Sequence, residues 1–226
     1  MSKEAERDRP IALRAVLFDF DGTLVKLNAD FQGLRGQLKT LLEPYGFVSS
    51  FRNLFQSVKE AEDHIKSGCA PQGASQIISE IWDAFYRTEQ DAIEHAELLA
   101  GVPEIWQWLT VRNVPIAIVS NNHSDIVKAA LTRLEVPLPP VVIGRDHVRL
   151  LKPYPEGALL ALEYLGLTTQ DVWMVGDSLY DWEVGAALKL QVALVDSPWQ
   201  EPVPDQNQRI HRLNRIDVLI SIWTAG

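Results

Sequence analysis

Cysteine is nearly absent from this chain, because Cys69 is the only one among 226 residues. A single cysteine excludes an internal disulfide bond. Since structural disulfides mark oxidising compartments, we expect a reducing, cytoplasmic location. The N-terminal segment "MSKEAERDRPIALR" is too charged to be a signal peptide, which agrees with that expectation.

Long apolar runs and an excess of positive charge are also missing. No run approaches the roughly 18 apolar residues that suggest a membrane span. The formal net charge of -9 and the sequence pI near 5.0 argue against nucleic acid or an anionic membrane as the main partner, since both require clustered positive charge. A small molecule is the expected partner, and no obligate protein partner is evident.

Short β-branched or apolar runs are present instead, and each is typical of a strand with both faces covered. They are "RAVLFDF", "VPIAIVS", "PVVIG", "VWMVGD" and "VALVDS". Helical patterns such as 125–134 and 156–165 lie between the later runs, and alternating strand and helix indicates a parallel sheet. The sequence therefore predicts an α/β fold whose core is a doubly wound, Rossmann-like sheet.

The interval 26–100 differs from the rest of the chain, because it contains helical windows and no convincing strand. So many residues between a first and a second strand exceed one crossover helix. We interpret the interval as an inserted α-helical cap, which leaves 1–25 and 101–226 for the Rossmann-like core. The expected breaks in the cap are Pro44, Gly46, Gly68, Pro71 and Gly73. The stretch "PVPDQNQ" predicts a loop before a last helix that ends in "IDVLISIW".

The stretch "VLFDFDGTLV" places Asp19 and Asp21 directly after an apolar run and before Gly22. In an extended chain the two carboxylates point the same way about 7 Å apart, and they repel by about 2 kcal/mol at an effective dielectric of about 20. A positive charge between them would relieve this repulsion. A tight Asp-Gly hairpin with both acids facing water is the structural alternative. An EF-hand calcium loop fails, because Leu24 stands where that loop requires glycine.

Polar groups also follow other predicted strands, and the carboxyl ends of strands in an open α/β sheet meet at one crevice. "SNN" at 120–122 follows the second run, and "GDSLYD" at 176–181 ends the fourth run. "KP" at 152–153 opens the helix that leads into the fourth run. Taken singly, these are ordinary helix caps and a surface lysine before a proline at a first helical position. Together, acids at two strand ends, a hydroxyl with amides at a third and a nearby lysine are what metal-assisted phosphoryl transfer requires.

"DFDGTL", "SNN", "KP" and "GDSLYD", in this order and with a helical insertion after the first, resemble the four motifs of the haloacid dehalogenase superfamily. The resemblance is to its phosphatase branch with an α-helical cap and spans about 16–196. The segment "LLAGVPEIWQWLTVRNVPIAIVSNN" also resembles phosphoglycolate phosphatase-like members. The resemblance implies a magnesium-dependent phosphatase that hydrolyses a small phosphorylated metabolite through an aspartyl-phosphate intermediate, beneath a cap that closes over the site.

By this resemblance, Asp19 is the nucleophile, and Asp21 is the general acid that protonates the leaving alcohol and then the base that activates water. Ser120 and the amide of Asn121 bind phosphoryl oxygens, and Lys152 neutralises the charge that Asp19 shares with the transferring group. The implied catalytic residues are Asp19, Asp21 and Lys152. The implied substrate-binding residues are Thr23, Ser120, Asn121 and Lys152.

The resemblance also implies a bound Mg²⁺, which supplies the positive charge between the carboxylates. Its implied ligands are the carboxylate of Asp19, the backbone carbonyl of Asp21, the carboxylate of Asp177 and, directly or through water, Asp181. Hard oxygen ligands of this kind suit magnesium.

Related activities and other classes of protein stay open. A sugar phosphomutase shares the nucleophile, metal and helical cap, and a phosphonatase would use a cap lysine, Lys59 or Lys66, as a Schiff base. A dehalogenase is disfavoured, because those relatives lack an acid at the position of Asp21. A phospho-accepting signalling module uses similar residues, but it has no large cap and its phosphorylated Asp lies on a middle strand. A non-catalytic binding protein is disfavoured, because no expected polar group is missing.

Several positions depart from the family pattern. Asn28 or Asp30 replaces the acid that caps the first cap helix in many relatives, and Lys189 stands where relatives often place a glycine suited to positive φ. Asn122 stands where relatives often have lysine or glycine. Basic residues in or near the cap are candidates for reading a substrate anion, or form solvated helix faces: Lys26, Arg35, Lys39, Arg52, Lys59, Lys66 and Arg87.

Overall fold

The computed structural model describes residues 13–69, 73–196 and 210–225. The predicted loop "PVPDQNQ" and the predicted break at Pro71 lie outside the described residues. The chain forms two compact units. One comprises the chain up to Leu27 and from Ala96 onward, and the other, called the helical unit below, comprises Asn28–His95.

Strands and helices alternate through most of the chain. The strands are β1 (Ala15–Phe18), β2 (Val25–Lys26), β3 (Glu97–Leu98), β4 (Ile116–Val119), β5 (Val141–Ile143), β6 (Val172–Gly176), β7 (Gln191–Val195) and β8 (Ile210–Leu213). The helices are α1 (Phe31–Leu42), α2 (Leu54–His64), α3 (Ala74–Ala92), α4 (Val102–Val111), α5 (Ser124–Arg133), α6 (Glu156–Leu165), α7 (Leu179–Leu188) and α8 (Val218–Thr224).

A six-stranded parallel sheet with the order β5-β4-β1-β6-β7-β8 forms the core of the first unit. Every residue of β1, β4 and β6 is buried, as continuous apolar runs require in a sheet that is covered on both faces. Successive β1 residues face opposite sides: Leu17 packs in one cluster with Ala161 of α6, while the ring of Phe18 lies 5.9 Å from that of Trp106 in α4. The predicted doubly wound α/β fold is confirmed.

The helical unit is held together by the apolar faces of α1, α2 and α3. Leu34, Leu38 and Leu42 recur every four residues along α1 and are all buried, so they form one stripe of that helix. They share a core with Phe85 of α3 and with Val58 of α2. The helical periodicity of the interval 26–100 therefore arises because these apolar helix faces are buried.

The first helix of this unit resolves the choice between two capping residues. The Asp30 carboxylate accepts a hydrogen bond from the Gly33 N–H at 2.8 Å and caps α1. Asn28 instead donates from Nδ2 to the His95 carbonyl at 2.9 Å. Asp30 is therefore the cap, and Asn28 ties the two ends of the helical unit to each other.

Two short features of the chain differ from the prediction. β2 and β3 pair antiparallel within the interval that was expected to lack strands, with Val25 opposite Leu98. A two-residue strand has too few positions to show a period. β8, with the sequence "IHRL", extends the sheet beside β7. This strand was not predicted from the sequence, because its polar residues do not form an apolar run.

Helix ends also differ in detail. α6 begins at Glu156 after Pro155, so Pro153 is not at a first helical position, and that interpretation is wrong. Lys189 ends α7 with φ of 57°, so a lysine adopts the left-handed conformation that glycine takes more readily. Among the described residues, no helix is both long enough and apolar enough to cross a membrane.

Candidate active site

Three of the predicted motifs lie at the ends of adjacent parallel strands. β1 lies between β4 and β6 in the sheet, and Asp19, Ser120 and Asp177 directly follow these three strands. The Asp19 N–H donates to the Val175 carbonyl of β6 at 2.8 Å, so the ladder continues to the site. Since parallel strands end at the same edge, the fold gathers the motifs into one place.

The turn after β1 separates the environments of the two carboxylates. Asp19 is only 6% exposed, and its Oδ2 accepts a hydrogen bond from the Thr23 hydroxyl at 3.3 Å. Asp21 is partly exposed, and its Oδ1 accepts from the Leu27 N–H at 2.8 Å. The alternative in which both acids face water is therefore wrong.

Gly22 lets another acid approach this turn. Its φ of 89° is unfavourable for a residue with a side chain, and a Cβ at this position would overlap the Asp177 carboxylate. The turn after β1 and the loop after β6 consequently touch without an intervening side chain. This contact sets Asp177 beside the backbone of the first motif.

Three carboxylates converge at this point. Among the described residues, Asp19, Asp177 and Asp181 form a group in which one carboxylate oxygen from each lies within 4.8 Å of the other two. The carboxylate of Asp21 is outside this group, which leaves its backbone carbonyl as the ligand that the family resemblance implied. Carboxylate oxygens at this spacing are a donor set that fits a small hard cation such as Mg²⁺.

Lys152 supplies the positive charge within the protein itself. It is only 7% exposed, and its Nζ lies 2.5 Å from Asp19 Oδ1 and 2.6 Å from Asp181 Oδ1. The interpretation of Lys152 as a surface residue is therefore wrong. The other oxygen of Asp181 accepts from the N–H and the hydroxyl of Ser178, so Asp181 also closes the first turn of α7.

The pKa values of Asp19 and Lys152 are both raised, but for different reasons. Burial raises the pKa of Asp19 to about 6; Lys152 opposes this rise, and the nearby Asp181 adds to it. Burial alone would lower the pKa of Lys152, but Asp181 and Asp19 outweigh it and raise that pKa above its usual value. Lys152 is therefore a permanent cation at neutral pH.

The Ser120–Asn122 loop does not cap the helix that follows. Ser120 Oγ donates to Asn122 Oδ1 at 2.9 Å and accepts from the Asn122 N–H at 3.1 Å, while His123 is the N-cap of α5. The Asn121 side chain contacts the backbone of Lys152 in both directions, at 2.9 and 3.2 Å. The side chains of this loop therefore form hydrogen bonds with one another and with the Lys152 backbone, and they do not cap α5.

Two further residues beside this loop were not among the predicted site residues. Arg145 is only 8% exposed. Its backbone N–H donates to the Asn122 carbonyl at 3.0 Å, and its side-chain Nη1 donates to the Asn121 carbonyl at 3.4 Å. Asp146 accepts from the N–H and the hydroxyl of Ser124 at 2.8 and 2.7 Å. Both follow β5, so the rule that strand ends share one edge would have marked them.

Comparison with known proteins identifies the family. The model for haloacid dehalogenase-like hydrolases matches residues 16–195. The chain belongs to the haloacid dehalogenase-like hydrolase family.

Individual relatives of this family match most of the chain. It is 28% identical to the N-acetylmuramic acid 6-phosphate phosphatase of Pseudomonas putida over 86% of this chain and 88% of the relative. It is 24% identical to hexitol phosphatase A of Escherichia coli over 92% of this chain and 90% of the relative. CbbY of Rhodobacter sphaeroides, solved in complex with phosphate, is similar in fold, with a TM-score of 0.66 and 18% identity over 92% of this chain and 96% of that one.

The family assignment made from the four motifs is therefore confirmed, and so is the enzyme class, a haloacid dehalogenase-type phosphomonoester hydrolase. The predicted roles of individual residues are a separate matter. They stay predictions.

Several of the basic residues of the predicted cap already have partners within the helical unit. Arg35 donates from Nε to the Phe51 carbonyl at 2.9 Å. Lys59 and Lys66 form ion pairs with acids of α2 at 3.2 and 3.0 Å, and their side chains are 55% and 52% exposed. A Schiff-base lysine needs a desolvated site or a cationic neighbour, so these contacts disfavour the phosphonatase alternative.

Proposed function

We propose that this phosphatase is magnesium-dependent and hydrolyses the phosphate ester of a small sugar or sugar acid through an aspartyl-phosphate intermediate on Asp19. The observation that carries the proposal is the buried cluster in which Lys152 meets Asp19 and Asp181, with Asp177 alongside. The names of the relatives, one for N-acetylmuramic acid 6-phosphate and one for hexitols, favour a sugar-derived substrate.

The four acids would contact the metal through different groups. Asp19 and Asp177 would hold Mg²⁺ through their carboxylates, and Asp21 through its backbone carbonyl. Asp181 would act directly or through water, and its two oxygens also accept hydrogen bonds from Lys152 and Ser178. When bound, Mg²⁺ would withdraw charge from the phosphoryl oxygens and offset repulsion among the carboxylates.

In the first half-reaction an Asp19 oxygen attacks phosphorus, and the bond between phosphorus and the leaving oxygen breaks. Asp21 donates a proton to that oxygen, so the alcohol leaves neutral. Lys152 holds Asp19 through Oδ1 and stabilises the negative charge that Asp19 shares with the phosphoryl group. The Ser120 hydroxyl and the Asn121 N–H bind the phosphoryl oxygens.

In the second half-reaction water attacks the aspartyl phosphate. Asp21, now ionised, takes a proton from that water, and the bond between phosphorus and the Asp19 oxygen breaks. Inorganic phosphate leaves, and both carboxyl groups return to their starting states. Thr23, which donates to Asp19 Oδ2, keeps the nucleophile in one orientation throughout.

The helical unit Asn28–His95 takes the role of the cap that chooses the substrate in this proposal. Lys26, Lys39, Arg52 and Arg87 are the remaining candidates for contacts with a substrate anion. The cytoplasmic location and the lack of an obligate protein partner stay predictions.

The test is turnover of para-nitrophenyl phosphate and of a panel of sugar, sugar-acid and short-acid phosphates, with Mg²⁺ or with excess chelator. We expect phosphate release that needs Mg²⁺ and a preference for sugar-derived esters. Asp19→Asn should lower kcat by at least about 1,000-fold, since the nucleophile is lost. Asp30→Asn is the matched control, because asparagine caps a helix about as well as aspartate.

A phosphoryl group trapped on Asp19 by rapid quenching and located by mass spectrometry would support the intermediate. Undiminished turnover by Asp19→Asn would refute the mechanism. Exchange of phosphate between sugar positions without release of free phosphate would identify a mutase instead.

A further inference from the structure

We propose that the side chain of Asn121 is a positioning residue for Lys152, and that it directs the lysine ammonium between Asp19 and Asp181. This inference rests on the proposed function and deepens it, because it assigns Asn121 a task beyond the backbone contact with phosphate.

The side-chain amide of Asn121 pairs with both backbone groups of Lys152. The Lys152 N–H donates to Asn121 Oδ1 at 2.9 Å, and Asn121 Nδ2 donates to the Lys152 carbonyl at 3.2 Å. One planar amide thus satisfies a donor and an acceptor on a residue 31 positions away in the chain. This two-point contact fixes the orientation of the Lys152 backbone as well as its position.

Lys152 needs such support because of where it lies in the chain. It precedes α6 by four residues and follows β5 by a longer irregular stretch, so no ladder or helix hydrogen bond holds its backbone. Its long side chain carries about 2 kcal/mol of rotamer entropy, which must be overcome to keep Nζ in one place. Nζ nevertheless lies within 2.6 Å of two carboxylates. Fixing the base of the side chain reduces the freedom that remains.

Asn121 is itself held in place from the other side. Arg145 donates from Nη1 to the Asn121 carbonyl at 3.4 Å, and the Arg145 N–H donates to the carbonyl of the next residue at 3.0 Å. Asn121, Arg145 and Lys152 are each 8% exposed or less. A buried series of contacts therefore runs from Arg145 through Asn121 and Lys152 to Asp19.

This arrangement argues against the side chain of Asn121 as a direct phosphate ligand. Its oxygen and its nitrogen both contact the Lys152 backbone, and phosphoryl oxygens would meet the Asn121 N–H instead. The two roles make different predictions when Lys152 is replaced. A positioning residue loses its effect once the residue that it positions is gone, whereas a separate ligand keeps it.

The first experiment is a double-mutant cycle with Asn121→Ala and Lys152→Met, measured as kcat/KM for para-nitrophenyl phosphate and as calorimetric affinity for inorganic phosphate with Mg²⁺. We expect Asn121→Ala alone to lower kcat/KM by about 10- to 100-fold, as is typical for residues that orient an active-site group. In the Lys152→Met background, the same change should alter either quantity by less than about twofold. Asn214→Ala, at an exposed position, is the matched control.

The second experiment works on a folded single variant and needs no turnover. Acylation of lysines is followed by mass spectrometry in the parent and in Asn121→Ala, with the partly exposed Lys128 as an internal standard. We expect Lys152 to react at least about 10-fold faster in the variant, since its ammonium leaves the two carboxylates more often. Thermal unfolding confirms that both proteins are folded.

Multiplicative effects of the two substitutions, or unchanged acylation of Lys152, would overturn the inference and leave the phosphatase proposal intact. A parent protein without phosphatase activity would overturn the proposed function. The acylation experiment would then still decide whether Asn121 holds Lys152.

Discussion

Asp19 is a residue whose burial costs stability and whose charge the proposed mechanism requires. It is 6% exposed, and burial raises its pKa to about 6 despite the adjacent Lys152. The folded, metal-free protein therefore disfavours the ionised form that would attack phosphorus in the proposed mechanism. Active sites often retain such unfavourable groups, because selection for function outweighs a modest loss of stability.

We expect Asp19→Asn to stabilise the metal-free protein by about 1 to 3 kcal/mol at neutral pH, although it removes turnover. Asparagine is uncharged, so the cost of burying an ionised carboxylate disappears, while Lys152 keeps its contact with Asp181. The measurement is urea unfolding in the presence of EDTA, with Asp30→Asn as the control. A variant less stable than the parent would show that the Asp19 ion pair contributes more than its burial costs.

Individual site residues could be predicted from the sequence to different degrees. Asp19 and Asp177 directly follow apolar runs in motifs that resemble those of a known family, so the joint pattern and the resemblance marked them. Arg145 follows β5, so the rule for strand ends would have marked its position, but nothing in "GRDH" shows that its guanidinium turns inward to a carbonyl 24 positions earlier. Long-range hydrogen bonds of this kind leave no local periodicity.

At the scale of elements, the short turn Arg145–His147 and the start of α5 are joined by Asp146. Its carboxylate accepts from the Ser124 N–H and hydroxyl, and His123 and His147 lie 3.8 and 3.3 Å away. Burial would raise the pKa of Asp146, but the hydrogen bonds from Ser124 outweigh it and lower that pKa below its usual value. The contact holds the turn against the helix that follows the Ser120–Asn122 loop.

We expect Asp146→Asn to destabilise the protein by about 0.5 to 1 kcal/mol, a small value because the site is partly open to solvent. A carboxyl group whose pKa is lowered by folding stabilises the folded state above its unfolded pKa, and this contribution is lost as the pH falls through the folded value. The difference between variant and parent should therefore stay constant from about pH 7 to pH 5 and shrink below about pH 4. Chemical unfolding at each pH measures it, and a difference that grows as the pH falls would contradict the assignment.

Elements differ in how well their own sequences specify them. The buried strands β1, β4 and β6 read as continuous apolar runs, and α1 and α3 carry apolar residues at helical spacing, so both kinds were predicted. β2, β3 and β8 were missed, because two of them have only two residues each and the third is rich in polar residues. Such strands form where a neighbour offers backbone hydrogen bonds, which is a tertiary condition.

At the scale of the whole molecule, metal binding and stability are linked. A ligand that binds only the folded state stabilises it by about 2.7 kcal/mol at 100 times its dissociation constant. For a chain of this length, each kcal/mol raises the melting temperature by roughly 2 to 4 °C. Asp19 follows β1, whereas Asp177 and Asp181 follow β6, so the unfolded chain does not hold the three acids together.

We expect millimolar Mg²⁺ to raise the melting temperature of the parent protein relative to EDTA by several degrees, and the rise to saturate with concentration. Asp177→Asn should remove most of this rise, since Asp177 is a proposed ligand whose carboxylate groups with those of Asp19 and Asp181. Asp30→Asn should retain it. Differential scanning fluorimetry provides the measurement, and an equal rise in Asp177→Asn would place the ion elsewhere.

The amino-acid sequence by itself determined the alternation of strands and helices, the helical insertion and the identity of the acids, the hydroxyl and the lysine, because these depend on local composition, periodicity and order along the chain. Only the tertiary structure decided which of these groups meet. The approach of Asp177 to Gly22, the placement of Lys152 between Asp19 and Asp181, and its support by Asn121 join separate segments. Distances between such segments depend on how the whole sheet packs, and no stretch of the chain carries that information alone.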